Sequence, residues 1–307
     1  DGIIALDVSG DIDGPAADIL KLFKETSLKD ILGAGADTWQ SSGNYSANIN
    51  LAMPLVSGAA PIINITGELH DVDLEKSDAN LQFTKLRGDI AYTTQNGLSS
   101  KNIAGNFWGR KFQADIKTLD QKTLVNIKGS IEMIEMQQWL QQPVLGFAVG
   151  TAQVEGQLQI AGEDNGGVQL AIRSTMKGVA IDLPEPFFKA REEKMPFEAN
   201  IGLATASIPV TLSLGDLAKM SLFTSSANED FRAIVVVGGG QVAGLPEVGM
   251  ELTGSVNNVL LDDWLSVIDR YEQFTKVAKE AESEAASPAS NPVFIDDLKV
   301  GELNAFG

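Results

Sequence analysis

The chain has 307 residues, of which 44% are hydrophobic but only 7% aromatic, so an apolar interior must be mainly aliphatic. Its net charge of -18 disfavours binding to nucleic acid or to an anionic membrane surface, and the absence of cysteine excludes disulfides and thiolate chemistry. No apolar run reaches the roughly 18 residues that a membrane-spanning helix requires. Both ends are typical of a fragment cut from a longer protein, and a cysteine-free chain suits an oxidising compartment.

Alternation of apolar and polar residues with a period of two predicts a mostly β protein with antiparallel strands. In 154–160, valine, leucine and isoleucine fall on one side of the segment, and glutamate and glutamine fall on the other. Each such strand has one apolar and one polar face, which is typical of antiparallel sheet. The same alternation occurs in 45–51, 112–116, 125–131, 168–172, 208–214 and 250–256.

Helices are predicted in only three places. Pro15 begins the first, over about 15–29, and a short helix is predicted over 135–141. The third, over 262–281, has an apolar stripe that includes Trp264 and Ile268, and the low-complexity segment 283–292 after it is predicted to be a mobile loop. So few helices cannot cover the apolar faces of so many strands. We therefore expect a long antiparallel sheet that curls around its own apolar face into a U-shaped groove.

A twelve-residue pattern occurs twice, 125 residues apart. Segments 129–140 and 254–265 share G-S-[IV]-x-x-[IV]-x-[ML]-x-x-W-L, and each follows an alternating strand and precedes helical sequence. This spacing predicts repeat units over 1–128, 129–253 and, in part, 254–307. Glycine also recurs inside strands, as at Gly67 and Gly156, where it could bend the sheet along one line or mark unrelated local bulges.

No pattern indicates catalysis, a cofactor or a metal. His70 is the only histidine, so neither a multi-histidine metal site nor a catalytic triad finds support. Gly238–Gly240 imitate a dinucleotide-binding turn, but the following 244–246, Gly-Leu-Pro, breaks the helix that such a site needs, so we expect a flexible hairpin. The acidic pairs at 11–13 and 71–73 are incomplete fragments of calcium-loop chemistry. The sequence therefore indicates a protein that is not an enzyme.

The segment 173–189 carries a resemblance to a known family. Its residues, Arg-Ser-Thr-Met-Lys-Gly-Val-Ala-Ile-Asp-Leu-Pro-Glu-Pro-Phe-Phe-Lys, resemble the S-x-L-x-G-V-x-I-D-L-P-x-P-L-x-K stretch found in the AsmA-like family of Gram-negative envelope proteins. Segments 14–20, 254–264 and 298–307 are also similar to that family. Phe187 and Phe188 depart from the expected leucine and small residue, which alters local packing only.

The resemblance implies a bridge-like lipid transport protein. Such proteins are anchored in the inner membrane by one N-terminal helix, which this fragment lacks, and cross the periplasm as a long β-groove. They move phospholipid toward the outer membrane and have no catalytic residues to carry over. The implied partners are phospholipid acyl chains, the two membranes through parts outside this fragment, and envelope proteins at each end.

An aliphatic groove would satisfy the physics of such transport. A phospholipid with two tails has about 30 methylenes, and their exposure to water costs on the order of 25 kcal/mol. Two alternatives remain: the apolar residues could form a closed sandwich or barrel core, and exposed sheet edges could serve a scaffold or chaperone for outer-membrane assembly. The residues predicted to line the groove are Val125, Ile127, Val154, Leu158, Ile160, Val168, Leu170, Ile172, Ile208, Val210, Leu212, Leu214, Met250 and Leu252.

Overall fold

Strands dominate the computed structural model, as the alternating sequence predicts. The structure describes residues 5–25, 38–56, 58–77, 80–140, 142–162, 166–203, 207–225, 231–242, 244–281 and 293–305. The predicted loop at 283–292 lies outside the described residues. The strands are β1 Ala5–Pro15, β2 Trp39–Pro54, β3 Ile62–Lys76, β4 Leu81–Thr93, β5 Gly97–Phe107, β6 Arg110–Leu119, β7 Lys122–Glu132, β8 Ala148–Ile160, β9 Gln169–Ser174, β10 Val179–Ile181, β11 Phe197–Gly202, β12 Ser207–Leu214, β13 Ala218–Ser225, β14 Phe231–Val237, β15 Gly249–Leu260 and β16 Val293–Asn304.

The three predicted helices are present, with shifted bounds. Helix α1 spans Ala16–Glu25 and begins directly after Pro15, while α2 spans Met133–Leu140. Helix α3 spans Leu261–Ala281. The prediction for α1 continued to 29, beyond the described residues. Sequence patterns missed the 3-10 helix Pro143–Phe147, which has too few residues to produce an apolar period.

In the part of the chain that the structure describes, sixteen strands form a mixed, largely antiparallel sheet. Their order follows the chain from β1 to β9 and from β11 to β16, with β10 beside β8. The expectation of purely antiparallel pairing is wrong at one end, because β14 and β15 are parallel and so are β15 and β16. The reason is visible in β14, where Ala233, Ile234, Val236 and Val237 are all buried. Such a strand buries both faces, as parallel strands do.

The glycine-rich segment after β14 is a crossover between parallel strands. A hairpin would place β15 antiparallel to β14, but Ala233 pairs with Met250 and Val235 with Leu252 in parallel register. The predicted hairpin at Gly238–Gly240 is therefore wrong. A crossover must return the chain to the opposite end of the strands. The described residues of this connection, 238–242 and 244–248, contain no helix.

Two compact units divide the chain. The first comprises Asp1–Gly129 and Glu155–Gln169, and the second comprises Ser130–Val154 and Leu170–Gly307. Each has its own group of buried apolar residues. In the first unit this group, called cluster 1, is Ala16, Val72, Leu86, Ile103, Phe112 and Ala114. In the second unit the group, called cluster 2, is Met133, Ala152, Met176, Val179, Ile181 and Met195.

The structure does not show the expected groove or repeats. The sheet is neither curled nor closed, and its order is open from β1 to β16. Gly67 pairs regularly with Ala47, whereas Gly254 lies at a register shift between β15 and β16. Of these two glycines, only Gly254 coincides with an irregularity in strand pairing. The two copies of the repeated motif also differ, because β7 pairs antiparallel with β6 while β15 has parallel neighbours. The division into 125-residue units stays a prediction.

Substitution of Gly254 tests the parallel pairing of β14 and β15. Gly254 has φ +117°, and a Cβ atom there would meet the carbonyl oxygen of Val237 in the neighbouring strand. We expect Gly254→Ala to lower the free energy of unfolding by about 2–4 kcal/mol, measured by urea denaturation. Gly244→Ala in the same unit is the control, because nothing lies within 4 Å of its added Cβ. Equal stability of the two variants would contradict this pairing.

Candidate functional site

Each strand of the first unit presents its apolar side chains to one face of the sheet. Partners in register share a face, so Val8 lies beside Leu51, Leu51 beside Ile63, and Ile65 beside Tyr92. We call this surface the first apolar face. Cluster 1 packs part of it, and Leu69, Phe83, Ile116, Val125 and Ile127 pack against that cluster.

Outside cluster 1, the first apolar face remains open to solvent. The side chains of Leu6 and Val8 are each 51% exposed, and Met53 is 41% exposed. Ile49, Ile65 and their neighbours are half-buried. A packed core would bury such residues almost completely, because protein interiors are close-packed. This part of the face therefore offers accessible apolar surface.

The opposite face of the first unit is a ladder of polar side chains. Asn48 donates a hydrogen bond to Asp11 at 2.8 Å, and Asn126 donates one to Asp115 at 2.8 Å. Lys128 and Glu155 form an ion pair at 3.3 Å. These bonds join neighbouring strands, so they hold the polar face in one register.

His70 and the bidentate pair of Arg87 with Asp71 also lie on the polar face. The Ser46 hydroxyl and His70 Nε2 are 3.0 Å apart, and both groups are exposed. Arg87 donates to both oxygens of Asp71, at 2.6 and 2.7 Å, and this hydrogen bonding lowers the pKa of the Asp71 carboxyl group. His70 lies on the surface within β3. In the part of the chain that the structure describes, no group of three or more histidine, aspartate or glutamate side chains could hold a metal ion.

A shallow cavity of about 1110 Å³ lies over the middle of β1–β6. Most of its lining comes from the polar face, with Asp11, Asp13, Glu68 and Asp89 on one part and Lys117 on another. No sequence pattern indicated this concavity, because its lining comes from six strands whose residues are far apart in the chain. It is separate from the apolar surface, which lies on the other side of the same strands.

The second unit has an equivalent apolar face. Leu212 pairs with Met220, Met220 with Val235, and Val235 with Leu252, so these four residues form one row across β12–β15. A second row runs through Val210, Leu222, Ala233 and Met250 in the same way. We call this surface the second apolar face. Its rows consist of uncharged side chains.

The fourteen residues predicted to line a groove share one property: every one of them is half-buried. Val125, Ile127, Leu158, Ile160 and Val168 belong to the first unit, and the others belong to the second. Val125 and Ile127 pack against cluster 1, whereas Val154 and Leu214 pack against cluster 2. Arg173 in β9 forms an ion pair with Glu198 in β11 at 3.5 Å, on the polar side of these strands. Leu170 and Ile172 therefore project from the other side of β9. The residues at 208, 210, 212, 250 and 252 lie in the rows of the second apolar face or next to them.

The segment 181–189 forms a loop clamped at its base by a buried lysine. Ile181 and Lys189 exchange two backbone hydrogen bonds, of 2.9 and 3.0 Å. The Lys189 side chain has no solvent exposure, and its ammonium group donates to the carbonyl oxygens of Val179 at 2.7 Å and Ala190 at 3.1 Å. Burial lowers the pKa of this ammonium group, while the carboxylates of Glu193 and Glu192 act in the opposite direction. The lysine therefore ties β10 to the backbone at 189–190.

Helix α3 packs on this loop and on the 3-10 helix. The indole of Trp264 meets Phe187 edge to face at 5.9 Å, and Phe274 meets Phe147 in the same way at 5.2 Å. Arg270 forms an ion pair with Asp182 at 2.8 Å and stacks over the Phe147 ring at 4.8 Å. The large side chain at Phe187, which departs from the resembling family's leucine, thus supplies a contact for α3. No helix of the described residues is both long and apolar enough to cross a membrane.

Substitution of Lys189 tests the clamp. Lys189→Ala removes both hydrogen bonds and leaves a void, so we expect a loss of about 3 kcal/mol in the free energy of unfolding. Lys189→Met keeps the volume and should cost less, about 1 kcal/mol. A small, equal effect of both variants would contradict the clamp.

The pH dependence of the same variants has a definite sign. The pKa of Lys189 is lower in the folded state than in the unfolded chain. At pH values between these two pKa values, the unfolded state therefore binds more protons than the folded state. The stability of the parent protein relative to Lys189→Met should therefore rise as pH increases from 7 toward 10. Urea denaturation at both pH values measures this difference, and a fall with pH would contradict the buried, desolvated lysine.

Comparison with known proteins relates this chain to a protein family. A family model described as YhdP protein matches residues 3–307, which is nearly the whole chain. No curated protein and no solved structure matches the chain significantly.

Proposed function

Since the chain belongs to the YhdP family, an AsmA-like lipid-transport family with no known catalytic activity, we propose that it is a lipid-transfer segment whose apolar faces hold the acyl chains of phospholipid. The observation that carries this proposal is the open apolar surface of the first unit, where large aliphatic side chains such as Leu6 and Val8 stay half exposed. Exposed apolar surface of this kind needs an occupant, because contact with water is unfavourable.

The tails of the lipid set the energetic requirement for transport. Moving about 30 methylenes through water costs on the order of 25 kcal/mol, which is prohibitive for transport. An aliphatic surface that continues from strand to strand removes much of that cost while the polar head stays in solvent. The rows that contain Leu212 and Val210 provide such a surface, and their uncharged side chains impose no desolvation penalty.

The division of the sheet into two chemically different faces supports the same function. The polar ladder that includes Asn48 and Asp115 keeps one side of the strands hydrated, so the lipid has a single surface to occupy. The packed clusters give the strands a rigid support. The accessible residues around them, among them Ile49 and Ile65, then form the contact surface.

Family membership also suggests where the protein acts. We place it in the cell envelope, and specifically in the periplasm, where lipid must cross an aqueous gap between the inner and outer membranes. Its partners there would be phospholipids and, through parts of the longer protein, the two membranes. The absence of cysteine from the sequence suits an oxidising compartment.

Charged substitutions on the apolar faces test lipid binding. Leu158→Glu, Leu170→Glu and Leu212→Glu each place a carboxylate among acyl chains, so we expect each variant to lose most uptake of a fluorescent phospholipid. Native mass spectrometry of protein purified without detergent gives an independent measure, because the parent protein should carry phospholipid.

Matched controls lie one residue away on the polar side of the same strands. Gln157→Glu, Gln169→Glu and Thr211→Glu add the same charge at exposed positions and should leave uptake within about twofold of the parent. Equal losses in the two sets, or a parent protein that neither carries nor takes up lipid, would contradict the proposal.

The scaffold alternative depends on the sheet edges, and the residues there oppose it. Strand β1 has Asp7, Asp11 and Asp13 on its polar side, and charges on an edge strand hinder pairing with another chain. A scaffold would bind unfolded outer-membrane strands equally well in the Leu158→Glu and Gln157→Glu variants. A lipid-transfer protein would lose lipid uptake in the Leu158→Glu variant and keep it in the Gln157→Glu variant.

A further inference from the structure

One margin of the first apolar face is aromatic, although the chain as a whole is poor in aromatic residues. Trp39, Phe83, Phe107 and Trp108 lie where β2 and β4 begin and where β5 ends. The ring centroids of Trp39 and Phe83 are 6.2 Å apart, those of Phe83 and Phe107 are 4.9 Å apart, and those of Phe107 and Trp108 are 4.2 Å apart. We call these four residues the aromatic belt.

Two cationic side chains flank the aromatic belt on the same face. Lys76 pairs with Trp39 across β2 and β3, and Arg110 pairs with Phe107 across β5 and β6. Because partners in register share a face, both project from the apolar side of the sheet. The Lys76 ammonium group donates to the Thr38 hydroxyl at 2.6 Å, so it lies at the outer margin of the face.

The sign of these charges is unexpected in so acidic a chain. The sequence has 41 acidic residues against 23 basic ones, and the polar face of the first unit is rich in carboxylates. On the apolar face, the paired positions of the described strands β1–β7 are otherwise uncharged. A chance distribution would favour carboxylates there. The two charges that the strands place on this face are instead both positive and both at one end, while the Asp18 carboxyl group of α1 lies near Tyr45, away from this margin.

This order of surfaces matches the order of groups in a phospholipid. Aliphatic side chains suit acyl tails, tryptophan suits the boundary between apolar and aqueous surroundings, and lysine and arginine bind phosphate through charge-assisted hydrogen bonds. Resting on the function proposed above, we propose that Lys76 and Arg110, together with the aromatic belt, form a subsite for the phosphate of a phospholipid headgroup. The bound lipid then has a fixed direction, with its head at this margin and its tails over the aliphatic part of the first apolar face.

The spacing of the two cations fits a headgroup that lies between them. Lys76 in β3 and Arg110 in β6 are three strands apart and offset by two residues along the strands, because Leu74 shares the row of Arg110. Their backbones are therefore about 16 Å apart. Phe83 and Phe107 occupy the two strands between. Both cationic side chains are half-buried at this margin, and the Thr38 hydroxyl holds the Lys76 ammonium group there.

Binding of three amphiphiles with the same tail tests the subsite. The affinity of the full chain is measured by isothermal titration calorimetry for n-dodecyl phosphate, n-dodecyl maltoside and dodecyltrimethylammonium, each below its micellar concentration. Because the tail is the same, differences in affinity report the contribution of the headgroup. We expect the phosphate to bind at least tenfold more tightly than the maltoside and the ammonium compound to bind most weakly. The Lys76→Gln/Arg110→Gln double variant should lose that preference and keep its affinity for the maltoside.

Two further variants control for net charge and for folding. Lys101→Gln/Lys128→Gln removes the same charge from the polar side, so it should retain the preference for phosphate. Lys76→Arg/Arg110→Lys keeps both charges and should retain it as well.

The outcomes distinguish the subsite from the function on which it rests. Equal affinity for all three amphiphiles, or an equal loss of preference in the two glutamine double variants, would overturn the headgroup subsite and leave acyl-chain binding intact. If no amphiphile bound at all, both the subsite and the proposed lipid transfer would be overturned.

Discussion

The alternation of apolar and polar side chains has to stay in phase across every strand, and the architecture depends on that constraint. A shift of one residue in any strand would carry its apolar side chains to the polar face. Cross-strand bonds such as that between Asn48 and Asp11 hold the phase on one side of the sheet. The packing of Val72, Leu86 and Ile103 in cluster 1 holds it on the other side.

Bulges restore this phase where the sequence breaks it. Leu69 and Val72 are three residues apart, which would place them on opposite faces of a regular strand. The register shifts between them, where Asp71 takes φ 52°, and both side chains remain on the apolar face. The same occurs around Lys85 in β4 and between Ser100 and Ile103 in β5. Without these bulges, cluster 1 would be split between the two faces.

The second unit adds a different kind of support, because a helix and a clamped loop stabilise it beside the sheet. The buried ammonium group of Lys189 holds the loop from within, and Arg270 of α3 holds it from outside through Asp182. The residues that make these contacts belong to neither the Leu212 row nor the Val210 row. In those rows Val210, Leu212 and Met220 stay half-buried, whereas Ala233 is buried.

The sequence by itself determined the mostly β class, the position of the helices, the family and the separation of apolar from polar faces, because each of these depends on local pattern or on a recognisable segment such as 173–189. Only the tertiary structure decided that β14, β15 and β16 are parallel, that the glycines after Val237 begin a crossover, and that the sheet is not curled. It also brought Lys76 and Arg110 to the margin that holds Trp39 and Phe107. Strand pairing joins residues that are far apart in the chain, and its direction depends on the whole sheet. No local period can encode it.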